Sequence, residues 1–249
     1  MQLPLLDPID PVFPPSNTAA LEPNGLLAGG GNLEVDTLLK AYRQGVFPWF
    51  EAGQPILWWS PDPRAVVYPK TIHIARTMAK SLRRDDYEIR VDSAFEDVVR
   101  ACAGPRVDDS NDHDPDINHP ENHSWIVPEM ITAYCRLYSA GYAHSVECWQ
   151  DGKLMGGLYG LAIGGVFCGE SMFSRGSDTS KLALIHLAKA LDQAGFSLID
   201  CQIPNPHLTT LGATEISRDT FMDILNREQN QNISWPDAAI FAAVAESFS

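Results

Sequence analysis

Two short stretches of the chain hold acidic side chains, and in the first of them the acid lies among glycine, serine and apolar residues. In the first stretch, residues 168–174, the acid is Glu170. Strand interiors rarely hold glutamate unless the side chain faces water or a functional cleft, so Glu170 is a candidate for chemistry. A solvated strand end is the simpler interpretation, and it stays open.

The second stretch is Asp200-Cys201-Gln202. Alternation along a strand places Asp200 and Gln202 on one face and Cys201 on the other. A carboxylate beside an amide can form a relay. Asp200 would accept a hydrogen bond from the Gln202 amide or from water, while the Gln202 carbonyl accepts one from an incoming amine. An ordinary polar strand end is the alternative.

A cluster of basic residues is the third candidate. Arg76, Lys80, Arg83 and Arg84 are spaced at i, i+4, i+7 and i+8, which puts them on one face of a helix predicted from residue 73. The chain has 18 basic and 32 acidic residues, a net charge of −14. Four clustered cations in so acidic a chain suit a nucleic-acid backbone, although a solvated helix face would look the same.

Residues 47–50 and 56–64 form a block rich in tryptophan and proline, with Trp49, Trp58 and Trp59 within eleven residues. Flat, rigid rings held by prolines make good stacking surfaces for a purine base or a bound acyl chain. Packing of a small core with large rings explains the same composition. Both interpretations stay open on the block alone.

The elements around these residues predict a mixed α+β fold. Asp151-Gly152 and Gly164-Gly165 are turn signals between three neighbouring strands, and Gly29 to Gly31 predict a flexible turn before the first helix. Strands are predicted at residues 56–59, 87–91, 143–150, 153–163, 166–172 and 197–202, and helices at 33–44, 94–102, 126–140 and 179–194. The order indicates a mixed, mostly antiparallel sheet flanked by helices. Acyltransferase folds, in which an acyl donor and an amine meet at a split in the sheet, have this pattern.

Composition narrows the class of protein. No apolar run reaches the roughly 18–20 residues that span a membrane, and the first residues lack a secretion signal, so a cytoplasmic protein is expected. The five scattered cysteines include no CxxC pair, which favours buried thiols over disulfides or zinc. The net charge argues against broad nucleic-acid binding and fits a basic partner, such as a peptide carrying Arg or Lys. Without heptad repeats, a monomer is the default expectation.

Residues 104–124 are polar and predict a flexible insertion. The insertion contains His113, His119 and His123 among aspartates. Their spacing has no ordered metal-ligand pattern, so no metal site is predicted.

Several of these motifs belong to longer strings that resemble the bacterial leucyl/phenylalanyl-tRNA–protein transferases. The matching strings span nearly the whole chain in order: residues 22–28, 45–50, 56–64, 144–147, 156–160, 167–174, 180–181 and 198–202. The resemblance implies a small N-terminal domain at residues 1–64 and a larger domain at 65–249 that is similar to acyl-CoA N-acyltransferases. It also implies transfer of Leu, Phe or Met from charged tRNA to the N-terminal Arg or Lys of a protein, which marks that protein for degradation.

The resemblance also implies roles for individual residues. Gln202, oriented by Asp200, would accept a hydrogen bond from the acceptor amine, with Asp200 itself or a tRNA ribose hydroxyl as proton acceptor. Glu170 would hold the donor's α-amino group or terminal ribose, or attract the cationic acceptor. The ester is already activated, so no cofactor is implied. The other implied groups are a donor side-chain pocket of Leu158, Phe167, Met172, Leu187 and Ile199, terminal-adenosine contacts from Tyr42, Trp49 and Trp125, and acceptor-stem contacts from the basic cluster.

Two other classes of function stay open from the sequence. One is an acyl-CoA-dependent N-acyltransferase on the same fold, against which the missing pyrophosphate-binding glycine loop counts. The other is a noncatalytic module that binds tRNA or a peptide without turnover.

Overall fold

The computed structural model describes residues 3–104 and 124–248. The predicted insertion lies outside these residues except for its two ends, Gly104 and Ser124, and so do the three histidines predicted not to bind a metal.

The N-terminal part of the chain forms a small four-stranded sheet. Its strands are β1 (Leu5–Leu6), β2 (Leu26–Gly30), β3 (Phe47–Pro48) and β4 (Leu57–Trp59), in the order β1-β2-β4-β3. Helix α1 (Val35–Tyr42) joins β2 to β3. The predicted turn at Gly29 to Gly31 is wrong for its first two residues, because Gly29 and Gly30 lie in β2 and pair with β1.

A seven-stranded sheet forms the larger part. Its strands are β5 (Arg64–Val67), β6 (Glu88–Val91), β7 (Ala143–Gln150), β8 (Lys153–Ile163), β9 (Val166–Ser174), β10 (Leu198–Gln202) and β11 (Thr214–Ile216), in the order β11-β5-β10-β9-β8-β7-β6. Strands β9 and β10 are parallel, and the other neighbours in this sheet are antiparallel. The predicted class, a mixed and mostly antiparallel sheet flanked by helices, is confirmed.

Seven helices accompany the larger sheet in the part of the chain that the structure describes. They are α2 (Arg76–Leu82), α3 (Phe95–Ala103), α4 (Pro128–Ser139), α5 (Thr179–Ala194), α6 (Pro206–Thr209), α7 (Arg218–Glu228) and α8 (Ala238–Glu246). Helix α5 connects the parallel strands β9 and β10, which need such a crossover because a tight turn cannot join them.

Strand alternation divides the apolar residues of the larger sheet between two faces. Phe167 and Ile199 belong to the core that contains α2, α5 and α8. Their strand neighbours Cys168 and Leu198 belong to the core that contains α1, α3 and α4. That second core also includes residues of the small sheet, so the two sheets share apolar packing, and a domain boundary at residue 64 stays a prediction.

The basic cluster departs from its predicted geometry. Helix α2 begins at Arg76 and ends at Leu82, where Arg83 turns back so that its N–H donates to the Lys80 carbonyl at 3.3 Å. Arg83 and Arg84 therefore lie beyond the helix and do not continue its face. All four cations are exposed.

Two kinds of feature are absent from residues 3–104 and 124–248. No helix there is long and apolar enough to cross a membrane. No group of three or more His, Cys, Asp or Glu side chains in these ranges could hold a metal ion.

Candidate active site

The candidate site lies where the two parallel strands of the larger sheet separate. Strands β9 and β10 pair from Val166 and Leu198 as far as Cys168 and Asp200. Strand β9 then continues to Ser174 and pairs only with β8 in the described register, with a bulge beside Gly169. Such a separation opens a gap in the sheet, and Glu170 lies directly at its base.

Glu170 accepts three hydrogen bonds from side chains of three different elements. The Tyr42 hydroxyl of α1 donates to Oε1 at 2.8 Å, and the Gln202 amide of β10 donates to the same oxygen at 2.8 Å. The Tyr134 hydroxyl of α4 donates to Oε2 at 2.6 Å. The two tyrosine oxygens are 2.6 Å apart. The site therefore forms only when α1, α4, β9 and β10 are all in place.

The environment of Glu170 makes its carboxyl a weak acid that titrates near neutrality. Burial disfavours the charged form and raises its pKa from 4.5 to about 7, and the charge of Asp200 acts in the same direction. Hydrogen bonds from Tyr134, Tyr42 and Gln202 oppose this rise, because they favour the carboxylate. Burial also raises the pKa of both tyrosines well above 10, so both hydroxyls remain protonated donors.

Gln202 contacts Glu170 and Asp200 through different groups. Its side-chain amide donates to Glu170, whereas its backbone N–H donates to Asp200 Oδ1 at 2.9 Å. The predicted side-chain relay from Asp200 to Gln202 is therefore wrong. Gln202 adopts a left-handed backbone with φ of 65° beside a register shift, so regular strand alternation does not describe its side-chain direction.

Asp200 forms a buried ion pair with Arg64. The Arg64 Nε donates to Oδ1 and Nη2 donates to Oδ2, each at 2.8 Å, and the two side chains are 1% and 0% exposed. Sequence reasoning did not single out Arg64. The available signal was an arginine at the start of the apolar run Ala65–Val67, where a charged side chain needs a partner.

Of the two tyrosines that contact Glu170, Tyr42 was expected in a different role and Tyr134 was not indicated by the sequence. Tyr42 was expected to stack on an adenosine ring, but it is 1% exposed and has no open ring face. It contributes its hydroxyl to Glu170 instead. Tyr134 lies on the buried side of α4 with Met130, Ala133 and Leu137, a spacing that predicts core packing and gives no separate signal for its hydroxyl.

The aromatic block divides into a buried and an exposed part. Trp58 is fully buried, and its indole N–H donates to the Gly30 carbonyl at 2.9 Å. Trp49 is 40% exposed, and its ring centroid lies 5.5 Å from that of Trp59. Trp49 follows Phe47 by two residues, and the Phe47 ring covers the Arg64 guanidinium. Trp125, also expected to contact adenosine, is partly buried against the α1, α3 and α4 core.

The five residues of the expected donor pocket do come together, in the core that contains α5. Leu158, Phe167, Leu187 and Ile199 are buried there, and Met172 is partly exposed. Alternation places the four strand residues among them on the sheet face opposite the Glu170 cluster. A pocket for the donor side chain stays a prediction.

The basic residues lie toward the same end of the sheet as the gap. The Ser81 hydroxyl of α2 donates to Asp178 Oδ2 at 3.0 Å, and Asp178 precedes α5. The Ser174 hydroxyl at the end of β9 lies 2.8 Å from that of Thr179 in the first turn of α5. These contacts connect α2 to the open end of β9, about 13 Å along the strand from Glu170 at 3.3 Å per residue.

Comparisons with known protein sequences identify a family. A family model described as leucyl/phenylalanyl-tRNA protein transferase matches residues 66–226, and a model of that family's N-terminal domain matches residues 31–62. A leucyl/phenylalanyl-tRNA–protein transferase of Chromobacterium violaceum is 52% identical over 235 residues, covering 94% of each chain. One of Nitrosomonas europaea is 51% identical over 229 residues, covering 91% of this chain and 92% of the relative.

Solved structures are more distant. A GCN5-related N-acetyltransferase from Kribbella flavida has a TM-score of 0.33 at 15% identity, over 71% of this chain and 58% of that one. L-PGS from Bacillus licheniformis has a TM-score of 0.40 at 10% identity, over 82% and 73%. On the strength of the family models and the sequence relatives, this chain belongs to the leucyl/phenylalanyl-tRNA–protein transferase family, a family of aminoacyltransferases.

Proposed function

We propose that this protein transfers Leu, Phe or Met from an aminoacyl-tRNA to the N-terminal Arg or Lys of an acceptor protein and so marks the acceptor for degradation. The acceptor nitrogen attacks the ester carbonyl carbon, the C–N bond forms, and the bond to the ribose oxygen breaks. The amine loses a proton and the departing ribose oxygen gains one. The observation that carries the proposal is the Glu170 cluster at the gap between β9 and β10.

Gln202 is suited to hold the attacking amine. Its amide nitrogen is fixed on Glu170, and the amide oxygen consequently points away from that carboxylate. An amide oxygen accepts hydrogen bonds, so it can receive one from the acceptor's amino group and orient the nitrogen lone pair. Orientation of this kind supplies much of the rate enhancement when the electrophile is already activated.

Glu170 is suited to take the proton. Its pKa of about 7 is close to the ordinary value near 8 of a protein α-amino group. A base with a pKa near the working pH combines a populated carboxylate with a useful driving force for proton transfer. The negative charge also attracts an acceptor whose N-terminal residue is Arg or Lys, and the net charge of −14 acts in the same sense.

The donor's terminal adenosine fits the exposed ring of Trp49, since base–aromatic stacking is worth about 1–3 kcal/mol per base. The donor side chain would enter the gap past Met172 toward Leu158, Phe167 and Ile199. The tRNA phosphates would meet the exposed cations of α2 and the residues after it. Trp125 stays a predicted contact to the adenosine.

The protein is proposed to act as a monomer in the cytoplasm. Support for the first point is that one chain supplies every member of the Glu170 cluster. Support for the second is chemical, because a donor made for translation is available where translation takes place.

A transfer assay tests the proposal. The purified protein is incubated with Phe-, Leu- or Met-tRNA and with peptides that start with Arg, Lys or Ala, and products are identified by mass spectrometry. We expect addition of one residue to the Arg and Lys peptides and none to the Ala peptide. Product formed from acyl-CoA without tRNA, or tRNA binding with no product, would contradict the proposal.

The tRNA surface has its own test. Replacing Arg76 and Lys80 by Ala is expected to raise KM for aminoacyl-tRNA and to reduce the salt dependence of that KM, because fewer phosphates are neutralised. Arg100 is the matched control, an exposed arginine on α3 that pairs with Glu96. An equal effect of Arg100→Ala would contradict the assignment of this surface.

A further inference from the structure

We propose that Arg64 is a positioning residue for the transfer reaction. It fixes the positions of Gln202 and Tyr42 relative to Glu170. The inference rests on the proposed function. Arg64 does not touch the position of the reacting atoms. It acts through Asp200 on one side and through Gly45 on the other.

The first arm runs from Arg64 through Asp200 to Gln202. Two parallel N–H groups of the guanidinium meet the two carboxylate oxygens at 2.8 Å, a bidentate geometry that fixes orientation as well as distance. Asp200 Oδ1 also accepts from the Gln202 backbone N–H at 2.9 Å. This bond stabilises the left-handed backbone of Gln202, which for a residue other than glycine needs such support.

The second arm runs from Arg64 through Gly45 to Tyr42. The remaining guanidinium nitrogen, Nη1, donates to the Gly45 carbonyl at 3.1 Å. Gly45 closes the end of α1, since its N–H donates to the Tyr42 carbonyl at 3.0 Å. Tyr42 in turn donates to Glu170. One guanidinium thus sets the position of two of the three donors around Glu170.

Two aromatic rings restrict the guanidinium itself. Its central carbon lies 4.9 Å from the centroid of Phe47 and 4.6 Å from that of Phe221. Arginine favours stacking of this kind because its cation is planar and weakly hydrated. Lysine has neither the fork nor the plane, so it cannot reproduce the arrangement.

The same contacts assign Asp200 a positioning role. Its oxygens receive two bonds from Arg64 and one from the Gln202 backbone. Asp200 is fully buried and three of its roughly four acceptor sites are filled, so it is not placed to receive an incoming amine. Proton removal falls to Glu170, whose partners are side chains that a substrate can displace.

The first test is Arg64→Lys, measured as kcat and KM for Phe-tRNA with an Arg-starting peptide. Small displacements of reacting groups cost about 100-fold in rate, so we expect kcat to fall about 100-fold while KM for aminoacyl-tRNA stays within about twofold. Arg218→Lys is the matched control, because Arg218 is also buried but donates to the Ser60 carbonyl at 2.9 Å. Equal losses of kcat in both variants, or a wild-type kcat in Arg64→Lys, would overturn the inference.

The pH dependence of kcat gives a second measurement. The groups that face Glu170 are Tyr42, Tyr134 and Gln202, with Tyr159, Cys168, Asp200 and Arg64 behind them. Asp200→Asn leaves an unpaired cation and should move the acid limb of kcat to lower pH, whereas Arg64→Gln leaves an unpaired anion and should move it to higher pH. The double variant should restore the wild-type midpoint with a reduced kcat. Midpoints that do not separate in this way would overturn the inference.

The outcomes distinguish this inference from the proposed function. If wild-type protein transfers no amino acid, the proposed function fails. If the wild type is active and Arg64→Lys is folded by circular dichroism and equally active, only the role of Arg64 fails. If Arg64→Lys does not fold, the charge-neutral Arg64→Gln/Asp200→Asn variant decides, with an unchanged kcat again overturning the role.

Discussion

Glu147 and Glu170 are two carboxylates on the same face of the larger sheet, and they differ in whether backbone N–H groups are among their hydrogen-bond donors. Glu147 is fully buried on β7 and accepts from the backbone N–H groups of Ser93 and Ala94 at 3.1 and 3.2 Å. It also accepts from the hydroxyls of Ser93 and Ser145. Glu170 is partly exposed, and within the described part of the chain its hydrogen-bond donors are all side chains.

This difference in donors indicates that Glu147 is a structural acid and that Glu170 is a reactive one. Backbone donors at the start of α3 cannot move without disturbing the helix end, so Glu147 is held in place by the N–H groups that it satisfies there. Side-chain hydroxyls and an amide can rotate, so Glu170 can exchange a partner for a substrate. Burial alone therefore does not identify the acid that does chemistry, whereas the type of donor does.

The largest difference between Glu170 and Glu147 is expected in the effect of their substitution on kcat. Glu170→Gln should lower kcat for transfer by about 10² to 10⁴-fold, the usual contribution of a positioned acid or base, because an amide cannot take the amine proton. Single-turnover transfer of Phe from Phe-tRNA at pH 8 measures it, with circular dichroism to confirm folding. Glu147→Gln is the control and should keep kcat. A fully active Glu170→Gln variant would contradict a catalytic role for Glu170 and would show that both carboxylates act only in the structure.

The second contrast is the pH dependence of stability. The folded-state pKa of Glu170 is raised to about 7 from 4.5, so its stabilising contribution is complete below about pH 4.5 and is lost as pH rises through 7. Relative to wild type, Glu170→Gln should therefore gain on the order of 3 kcal/mol of unfolding free energy between pH 4 and pH 8. Urea unfolding at a series of pH values measures the difference. A pH-independent difference would contradict the raised pKa.

The third contrast is the stability of the structural acid. Glu147→Gln should lower the free energy of unfolding at pH 7 by about 2 to 3 kcal/mol, because glutamine has one acceptor oxygen in place of two and leaves buried donors without a partner. Urea unfolding checks the loss, and kcat per folded molecule should stay unchanged. A stable variant with reduced kcat would instead connect Glu147 to the reaction.

The smallest contrast concerns a single donor to Glu170. Tyr134→Phe removes a bond that favours the carboxylate, so the pKa of Glu170 should rise and the acid limb of kcat should move up by about one pH unit. Tyr138→Phe is the control on the same helix, because its hydroxyl donates to the Asp92 carbonyl at 2.9 Å. Equal shifts in both variants would show that the effect is not specific to Glu170.

Local patterns predicted the elements that depend on local chemistry. Turn dipeptides at Asp151-Gly152 and Gly164-Gly165 gave the β7–β8–β9 meander nearly to the residue. Glu170 stood out because an acid is unusual in a strand of small and apolar residues. The Gly29-Gly30 pair was misassigned because its place in β2 depends on pairing with β1 and β4, which no short window contains.

Local sequence patterns could not predict contacts between residues that are far apart in the chain. The Arg64–Asp200 pair joins residues 136 positions apart, and Tyr134 has the spacing of an ordinary core residue on its helix. The side chain of Gln202 was expected to contact Asp200 but contacts Glu170. The expectation assumed the alternation of a regular strand, whereas the backbone of Gln202 is left-handed. The prediction that Tyr42 stacks on a base was also wrong, because the core shared by the two sheets covers its ring.

The distance in sequence between Arg64 and Asp200 has a consequence for synthesis on the ribosome. At about 5–20 residues per second, the 136 residues from Ala65 to Asp200 take roughly 7 to 27 seconds to be made. During that interval the guanidinium that will lie between Phe47 and Phe221 has no carboxylate partner from β10. The ion pair that holds Gln202 in place therefore cannot form until β10 has been made.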